Sequence, residues 1–392
     1  MPPAQNNSCG LPRALIGALM LTGFLLMGNL YYTQPIIEDI AHGLGLADQN
    51  AGMLLTAVQA GYMAGTLFIA PLADVIQNRK LILSTILAAG AALLCAAVSP
   101  NATLFCLSAF VFGFCSVAGQ ISIVFGVGLA APDKKGQVLT AISSGLFAGV
   151  VVARPYSAFI ASAFGWRAVY LVGAACMLAL FALLMRLLPR VAVPPQAFSY
   201  RMMLSSMAHY LKASSQLRRL LGISTLTFTL LNVFWATTPL FLIREMGYAQ
   251  PDVALFTFLC AATPVLIISS GRLLDRGLGS RIAIAGSLAA LLAWFLTGSI
   301  PVTGAFIAAA LLIDPLSSLS LVAVQKAVLQ IAPHVRSRLN SLTISVNFIG
   351  AAIGSALGPF VYTLGGWTAL AAAGSLLVAA DLALIIASRR DF

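Results

Sequence analysis

Long apolar runs alternate with short polar breaks along almost the whole chain. A helix that crosses the hydrocarbon core of a bilayer needs about 20 apolar residues. Runs of about that length predict twelve spans, numbered here in order: residues 14–37, 52–72, 81–99, 102–131, 138–164, 167–188, 220–243, 253–274, 282–300, 302–332, 340–364 and 367–388. Breaks such as 99–101 and 165–166 are too short for a folded external domain. We therefore expect an all-α membrane protein with twelve transmembrane helices.

The polar loop that follows span 2 recurs after span 8. The first copy is residues 70–80 and the second is residues 271–281, with Asp74 and Asp275 lying 201 residues apart. Other landmarks repeat at the same spacing: Ala131-Pro132 with Ala332-Pro333, Gly149 with Gly350, and Gly165-Trp166 with Gly366-Trp367. The repeat predicts two pseudo-symmetric six-helix bundles, a layout found in many transporters. Their expected bounds are 1–189 (the first half) and 220–392 (the second half), with a cytoplasmic linker at 190–219 that is either an amphipathic surface helix or a flexible tether.

The composition narrows the class of protein further. Hydrophobic residues make up 60% of the chain and charged residues only 8%, whereas globular domains carry about 25% charged residues. The net charge is +11, and 19 of the 22 basic residues fall on one side if the N-terminus is cytoplasmic. Cytoplasmic loops of membrane proteins carry such an excess of Lys and Arg. We therefore expect a multi-pass protein of the cytoplasmic membrane, with both termini in the cytoplasm and no nucleic-acid partner.

The residues offer little for catalysis or metal binding. The six cysteines have no CxxC spacing, and the three histidines, His42, His209 and His334, are isolated. No nucleophile–base set or phosphate-binding loop stands out. The sequence predicts no metal site, no cofactor and no enzymatic activity.

Two loops and one segment of span 1 resemble a known family. In the first loop the matching residues are Leu72, Ala73, Asp74, Arg79 and Lys80, and in the second they are Gly271, Leu273, Asp275 and Arg276. These loops are similar to the signature loops of the major facilitator superfamily. The segment 29–35, Asn-Leu-Tyr-Tyr-Thr-Gln-Pro, resembles a bacterial branch grouped with drug and sugar efflux permeases.

The resemblance implies a fold and a way of working. It implies the major facilitator fold, in which two bundles rock around a central site and give each side of the membrane access in turn. The paired loops would then form a latch that closes the cytoplasmic side; if they have no such role, their basic residues only set the topology. The proposed latch residues are Asp74, Arg79, Lys80, Asp275, Arg276 and Arg281.

Three ionisable residues lie deep within predicted spans, away from the basic residues near the span ends. An ionised group at mid-bilayer costs at least about 2.5–3.5 kcal/mol, so each needs a partner or a purpose. Arg154 in span 5 and Asp314 in span 10 have similar predicted depths, and we expect them to form the proton-coupling pair, with Asp314 as the proton carrier. Alternatively Arg154 binds a carboxylate substrate, or the two residues form a static buried pair. Asp381 in span 12 is expected to pack or to reach towards the interface.

Aromatic and amide residues in the spans suggest a lining for the central cavity. Such faces suit an amphipathic or lipophilic organic ligand, although Tyr and Trp near helix ends also form interfacial belts. The candidates for substrate binding are Asn29, Tyr31, Tyr32, Gln34, Gln120, Asn232, Phe234, Trp235 and Asn347.

Small residues recur at every fourth position in spans 5 and 11. Span 5 carries Gly145 and Gly149, and span 11 carries Gly350, Gly354 and Gly358. This spacing lets two helices approach closely. Packing is a sufficient explanation for these glycines.

Together these features predict a secondary active transporter in the inner membrane of a bacterium. We expect proton-coupled efflux of a drug or metabolite by antiport, with protons, a small-molecule substrate and lipid as the only partners and a monomeric state. Two alternatives remain open. One is proton-coupled uptake or exchange of a small organic anion bound by Arg154, and the other is a membrane sensor or scaffold that transports nothing.

Overall fold

The computed structural model describes residues 12–74, 76, 78–131, 133–190, 200–249, 251–253, 255–256, 279–299, 303–332 and 336–392. Two 3₁₀ helices, Asp48–Asn50 and Ala70–Asp74, flank one of its α-helices. The α-helices are α1 (Arg13–Asn29), α2 (Ile37–Gly43), α3 (Gly52–Phe68), α4 (Asn78–Ala97), α5 (Ala102–Cys115), α6 (Ala118–Leu129), α7 (Lys135–Phe164), α8 (Trp166–Leu187), α9 (Tyr200–Ala213), α10 (Ser215–Arg244), α11 (Gly279–Ser299), α12 (Thr303–Ile331) and α13 (Arg336–Ala387).

The prediction of an all-α membrane fold is confirmed. In the described part of the chain, nine helices are long and apolar enough to cross a membrane. Helices occupy at least part of eleven of the twelve predicted spans. Span 1 contains α1 and the turn that leads to α2, span 4 consists of two shorter helices, and α13 contains both span 11 and span 12. Most of span 8 lies outside the described residues, as do Asp275 and Arg276 of the second loop.

Span 1 is broken between α1 and α2. Its turn begins with the backbone N–H of Tyr31, which donates to the carbonyl of Gly28 at 2.9 Å. Pro35 has no N–H to donate, and a proline disfavours helical geometry in the residue before it, here Gln34. The break therefore places Tyr31 and Gln34 on irregular backbone at membrane depth, where side chains can turn towards a cavity.

Each half contains the same close pairing of helices. Gly149 of α7 lies against the carbonyl oxygen of Phe24 in α1, and Gly350 of α13 lies against that of Thr225 in α10. Both members of the second contact are 201 residues further along the chain than those of the first. A Cβ atom at either glycine would collide with the facing backbone. The small-residue spacing is thus a packing device, as predicted.

Aromatic contacts repeat at the same offset. The Phe105 and Trp166 rings meet edge to face with centroids 6.0 Å apart, and those of Phe306 and Trp367 do so at 5.1 Å. Each tryptophan follows a glycine of positive φ, +82° at Gly165 and +64° at Gly366. That conformation is open to glycine at little cost. The pseudo-symmetry read from the sequence is therefore present in the packing.

The two halves meet along α3 and the first part of α13. The hydroxyl of Thr56 donates to the carbonyl of Ala352 at 3.1 Å, and Thr66 and Ser345 share a hydroxyl hydrogen bond of 3.0 Å. Beyond Thr56, at the start of α3, Gly52 lies directly against the carbonyl oxygen of Ser355. These polar contacts run along much of α3, so the halves are joined by hydrogen bonds as well as by apolar packing.

The region predicted as a linker contains a helix. α9 spans Tyr200–Ala213, and α10 begins at Ser215. Ser214 between them caps α10, since its hydroxyl accepts from the N–H of Leu217 at 3.1 Å. Arg338 of α13 donates to the hydroxyl of Ser206 in α9 at 3.1 Å. Part of this segment is therefore helical, and its place on the membrane surface stays a prediction.

Candidate functional site

Arg154 lies in α7 beneath two aromatic rings. Its Nε donates to Oε1 of Gln34 at 2.9 Å, and only 8% of the residue is exposed. The guanidinium carbon lies 3.9 Å from the ring centroid of Trp235 and 5.0 Å from that of Tyr31. A cation over an aromatic face gains about 0.5–2 kcal/mol, depending on desolvation. Gln34 and Tyr31 belong to the first half, like Arg154, whereas Trp235 belongs to the second.

Asp314 lies at the edge of the same indole. Its Oδ1 accepts a hydrogen bond of 3.2 Å from Nε1 of Trp235. Asp314 precedes Pro315 within α12, as Arg154 precedes Pro155 within α7. Each proline removes the helical hydrogen bond to the carbonyl four residues earlier. Both charges therefore occur where a helix is locally weakened.

Trp235 separates the two charged residues. Arg154 and Asp314 form no direct ion pair within 4.0 Å, although both side chains are among those described. Instead the indole offers its face to the cation and its N–H to the carboxyl group. The site thus links a charge of one half to a charge of the other through a single side chain.

A second group of polar residues crosses between the halves beside Trp235. Gln59 of α3 donates through Nε2 to Oδ1 of Asn232 at 2.7 Å and accepts at Oε1 from the hydroxyl of Ser355 at 3.1 Å. The amide of Asn232 also donates to the carbonyl of Phe228 at 2.8 Å. Asn232 and Trp235 are three residues apart and so share one face of α10. That face forms the boundary between the halves.

Other predicted lining residues lie inside their own halves. Asn29 is fully buried, with its amide nitrogen 3.8 Å from the sulfur of Met177. Tyr32 packs against Tyr156 with ring centroids 5.3 Å apart. Phe234, also fully buried, packs against Trp294 at 5.9 Å. These placements favour a packing role.

The two remaining candidates also have protein partners. Gln120 donates to the hydroxyl of Tyr62 at 2.6 Å, and the ring of Tyr62 lies 4.3 Å from that of Phe348 in the second half. Asn347 accepts at Oδ1 from the hydroxyl of Ser224 at 2.6 Å. Gln120 therefore lies close to the boundary between the halves, whereas Asn347 joins two helices of the second half.

The described part of the latch makes its contacts within the first half. Arg79 donates to the carbonyl of Met185, at the end of α8, at 2.7 Å. Lys80 is exposed, as is Arg281 in the first turn of α11. Asp74 ends a 3₁₀ helix, and its side chain lies outside the description. The latch remains a proposal, since its second loop is outside the described residues.

A cross-half ion pair lies at the opposite end of the bundle, on the predicted outer side. Nε of Arg244, the last residue of α10, is 2.7 Å from Oε1 of Glu38 in α2. The two side chains are 27% and 12% exposed. His42 approaches the same carboxylate at 3.8 Å. The sequence analysis did not pair Glu38 with Arg244, although their opposite charges at two helix ends on the same side were a usable signal.

Breaking this ion pair should favour separation of the outer ends. Because the pair is partly exposed, it is worth about 1 kcal/mol or less, so Glu38→Gln should raise the separated population about two- to fivefold. Pulsed electron paramagnetic resonance on spin labels at Ala47 and Ala249, in a cysteine-free background, measures that population. The combined exchange of Glu38→Arg and Arg244→Glu should restore it. A distance distribution unchanged by Glu38→Gln contradicts the prediction.

Gln59 is a candidate site residue that the sequence analysis missed. A single amide within apolar span 2 was the available signal, because such a group needs a hydrogen-bonding partner in a membrane. Its partners, Asn232 and Ser355, lie 173 and 296 residues away. Nothing in the local pattern identifies them.

Comparisons with known proteins identify the family of the chain. The family model of the Major Facilitator Superfamily matches residues 19–315. The chain is 30% identical to an uncharacterized transporter, YgaY, of Escherichia coli O157:H7 over 375 residues, which cover 95% of each chain. It is 30% identical over 147 residues to a chloramphenicol resistance protein of Streptomyces lividans, covering 36% of this chain and 37% of that protein.

A solved structure shares the fold. It is that of a bacterial homolog of the human lysosomal transporter Spinster, in an inward-facing and occupied conformation. The TM-score is 0.75 and the sequence identity 15%, over 96% of each chain.

Proposed function

The chain belongs to the major facilitator superfamily, and on that premise we propose that it exports a small amphipathic organic compound in exchange for protons. Asp314 carries the proton and Arg154 transmits its state to the substrate site. The contact that supports this proposal is the Trp235 indole, which touches Arg154 with its face and Asp314 with its N–H.

Substrate and proton compete through Arg154. An aromatic or dipolar substrate that packs on Trp235 and Tyr31 displaces the guanidinium from the ring faces. The displaced cation then approaches Asp314, and an opposite charge nearby favours the ionised carboxylate. The proton therefore leaves Asp314 when the substrate arrives. When the proton returns, Arg154 moves back over the rings and the substrate leaves.

A partial relative supports the direction and the kind of substrate. The chloramphenicol resistance protein matches over about a third of this chain. Chloramphenicol is a neutral aromatic compound, and two aromatic faces beside an amide suit such a ligand. It is therefore the first compound to test.

The sign of proton movement tests the exchange. Proteoliposomes containing the purified protein are loaded with chloramphenicol and a pH-sensitive dye, then diluted into substrate-free buffer. In antiport, substrate leaving the lumen draws protons in, so the lumen acidifies. Alkalinisation would indicate movement of substrate and proton together. A flat signal during measured substrate efflux would reject coupling.

One observation favours a second candidate, the transport of an organic anion. Within the described residues, Arg154 makes its only hydrogen bond through Nε, so its Nη groups are available to a ligand. A carboxylate can accept two parallel N–H bonds from a guanidinium. An anion that holds Arg154 away from Asp314 favours the protonated carboxyl group, so proton and anion travel together. If the protein transports organic anions, proteoliposomes loaded with benzoate in the same assay should show alkalinisation of the lumen.

Arg154→Gln should separate the two candidates. The amide can still hydrogen-bond Gln34 but carries no charge. Charged hydrogen bonds are worth about 1.5–3 kcal/mol, so an anion held by Arg154 should bind about 10–100-fold more weakly. A neutral aromatic compound held by the rings should lose less than about threefold. Calorimetric titration with benzoate and chloramphenicol gives both values, and equal losses for both would contradict this assignment.

A further inference from the structure

Asp381 is buried in the second half, away from the contact with Trp235. It lies in the last part of α13 and is 1% exposed. Its carboxyl oxygens are 3.3–3.4 Å from the hydroxyl of Thr227 in α10, and one of them is 3.3 Å from that of Ser287 in α11. The sequence left its role open between packing and reaching to the interface. The structure shows that Asp381, on α13, packs against α10 and α11.

No cation within the described part of the chain neutralises this carboxyl group. The side chains that reach it are the two hydroxyls, and no Lys, Arg or His approaches within 4.0 Å. Charged and titratable residues on its own and the neighbouring helices are placed several residues away along each helix: Arg218, Arg219 and Arg244 on α10, Arg281 on α11, Asp314 and Lys326 on α12, and Arg336, Arg338, Tyr362, Arg389, Arg390 and Asp391 on or just after α13. An ionised Asp381 would therefore lack compensation from these residues.

The directions of the hydroxyl hydrogen bonds indicate whether Asp381 is protonated. Thr227 has one proton to donate, and the carbonyl of Ile223 is 3.0 Å from its oxygen, nearer than either carboxyl oxygen. When Thr227 donates its proton to the carbonyl of Ile223, only the lone pairs of its hydroxyl oxygen face Asp381. A carboxylate would meet these lone pairs, whereas a protonated carboxyl group can donate to them. Ser287 then donates its proton to the other carboxyl oxygen.

We propose that Asp381 is a second proton-binding site and holds its proton as a neutral acid that joins α10, α11 and α13. The site does not depend on the role of Asp314. Thr227 and Trp235 are eight residues apart on α10, about 12 Å along the axis. The bound proton thus stabilises the packing of the helix that presents Trp235 to Arg154. Loss of the proton places between these helices a charge that no described residue compensates, and it loosens their packing.

Infrared spectroscopy of the purified protein tests the proton directly. The spectrum of the wild type minus that of Asp381→Asn should show the carbonyl stretch of a protonated carboxylic acid at neutral pH. The same band should persist in Asp314→Asn. Its absence from the wild type would overturn the proposal. Thr227→Val supplies a second reading, since loss of the acceptor should shift the band to higher frequency, and a band unmoved by this change would also count against the assignment.

Thermal unfolding distinguishes a proton from a metal cation. An Asn side chain can donate to Thr227 and accept from Ser287, so Asp381→Asn should unfold within a few degrees of the wild type at neutral pH. The folded state binds the proton more strongly than the unfolded state, so wild-type stability should fall as pH rises. The variant should lose that dependence. Stabilisation of the wild type, but not the variant, by sodium chloride over choline chloride would overturn the proton assignment in favour of sodium.

Discussion

Replacing Asp314 by Asn is expected to abolish proton movement without abolishing substrate exchange. The amide oxygen of Asn can still accept the hydrogen bond from Nε1 of Trp235, which is 3.2 Å from Oδ1 in the wild type. The side chain keeps its size and its partner but can no longer bind and release a proton. The variant thus removes the proposed chemistry without removing the contact.

Two measurements on the same proteoliposomes separate these effects. Luminal pH during chloramphenicol efflux reports coupling, and it should remain at the level of protein-free liposomes in Asp314→Asn. Exchange of labelled for unlabelled chloramphenicol at equal concentrations needs no net proton transfer, so it should continue. It should be slower than in the wild type, because the neutral Asn leaves Arg154 over the rings that the substrate occupies.

An aspartate outside the site provides the control. Asp252 accepts a hydrogen bond of 2.9 Å from the backbone N–H of Ala249 and is far in sequence from both charged site residues. Asp252→Asn should leave both measurements unchanged. Proton movement at the wild-type rate in Asp314→Asn would show that another group is the carrier, and the neutral acid proposed at Asp381 would be the first to test.

The second large effect is expected from a single methyl group on Gly149. Its added Cβ would lie against the carbonyl oxygen of Phe24, which is backbone and cannot rotate away. Gly149→Ala must therefore push α7 and α1 apart. Overpacking of this kind costs about 1–3 kcal/mol. It also moves Arg154 of α7 relative to Gln34, so substrate binding should weaken together with stability.

The same substitution elsewhere gives the control. Gly128 in α6 has no heavy atom within 4 Å of an added Cβ, so Gly128→Ala should gain up to about 1 kcal/mol from helix propensity. Gly350→Ala should repeat the loss seen at Gly149, because its Cβ would meet the carbonyl of Thr225. Unfolding midpoints in detergent rank the variants. Equal midpoints for Gly149→Ala and Gly128→Ala would show that the close approach of α7 and α1 is not needed for stability.

These glycines show how much of the helix packing can be predicted from the sequence. Their spacing and their repetition at an offset of 201 residues predicted close helix pairs in both halves, and the pairs are present. The spacing did not identify the partner helix. A glycine stripe marks only the helix face that can be approached, whereas the approaching helix is selected by the arrangement of the whole bundle.

In the candidate site too, the sequence identified individual residues but not their arrangement. Arg154 and Asp314 were singled out because isolated charges in apolar spans need a reason, and similar depths were inferred from their distances to the span ends. The structure places both on Trp235, which agrees with that inference. The sequence did not predict that the indole would lie between them. That arrangement depends on the rotation of α10, which also turns Phe234 into the core and Asn232 towards Gln59.

The sequence by itself determined the membrane class, most of the spans and the twofold repeat of the packing. Lipid dissolves apolar side chains and requires backbone hydrogen bonds to close within helices, so composition and run length specify these features locally. Only the tertiary structure decided which polar groups meet, including Gln59 with Asn232, Glu38 with Arg244, and Asp381 with Thr227 and Ser287. Each of these contacts joins segments distant in the chain, and its geometry depends on helix rotation and side-chain direction, which the order of residues does not reveal.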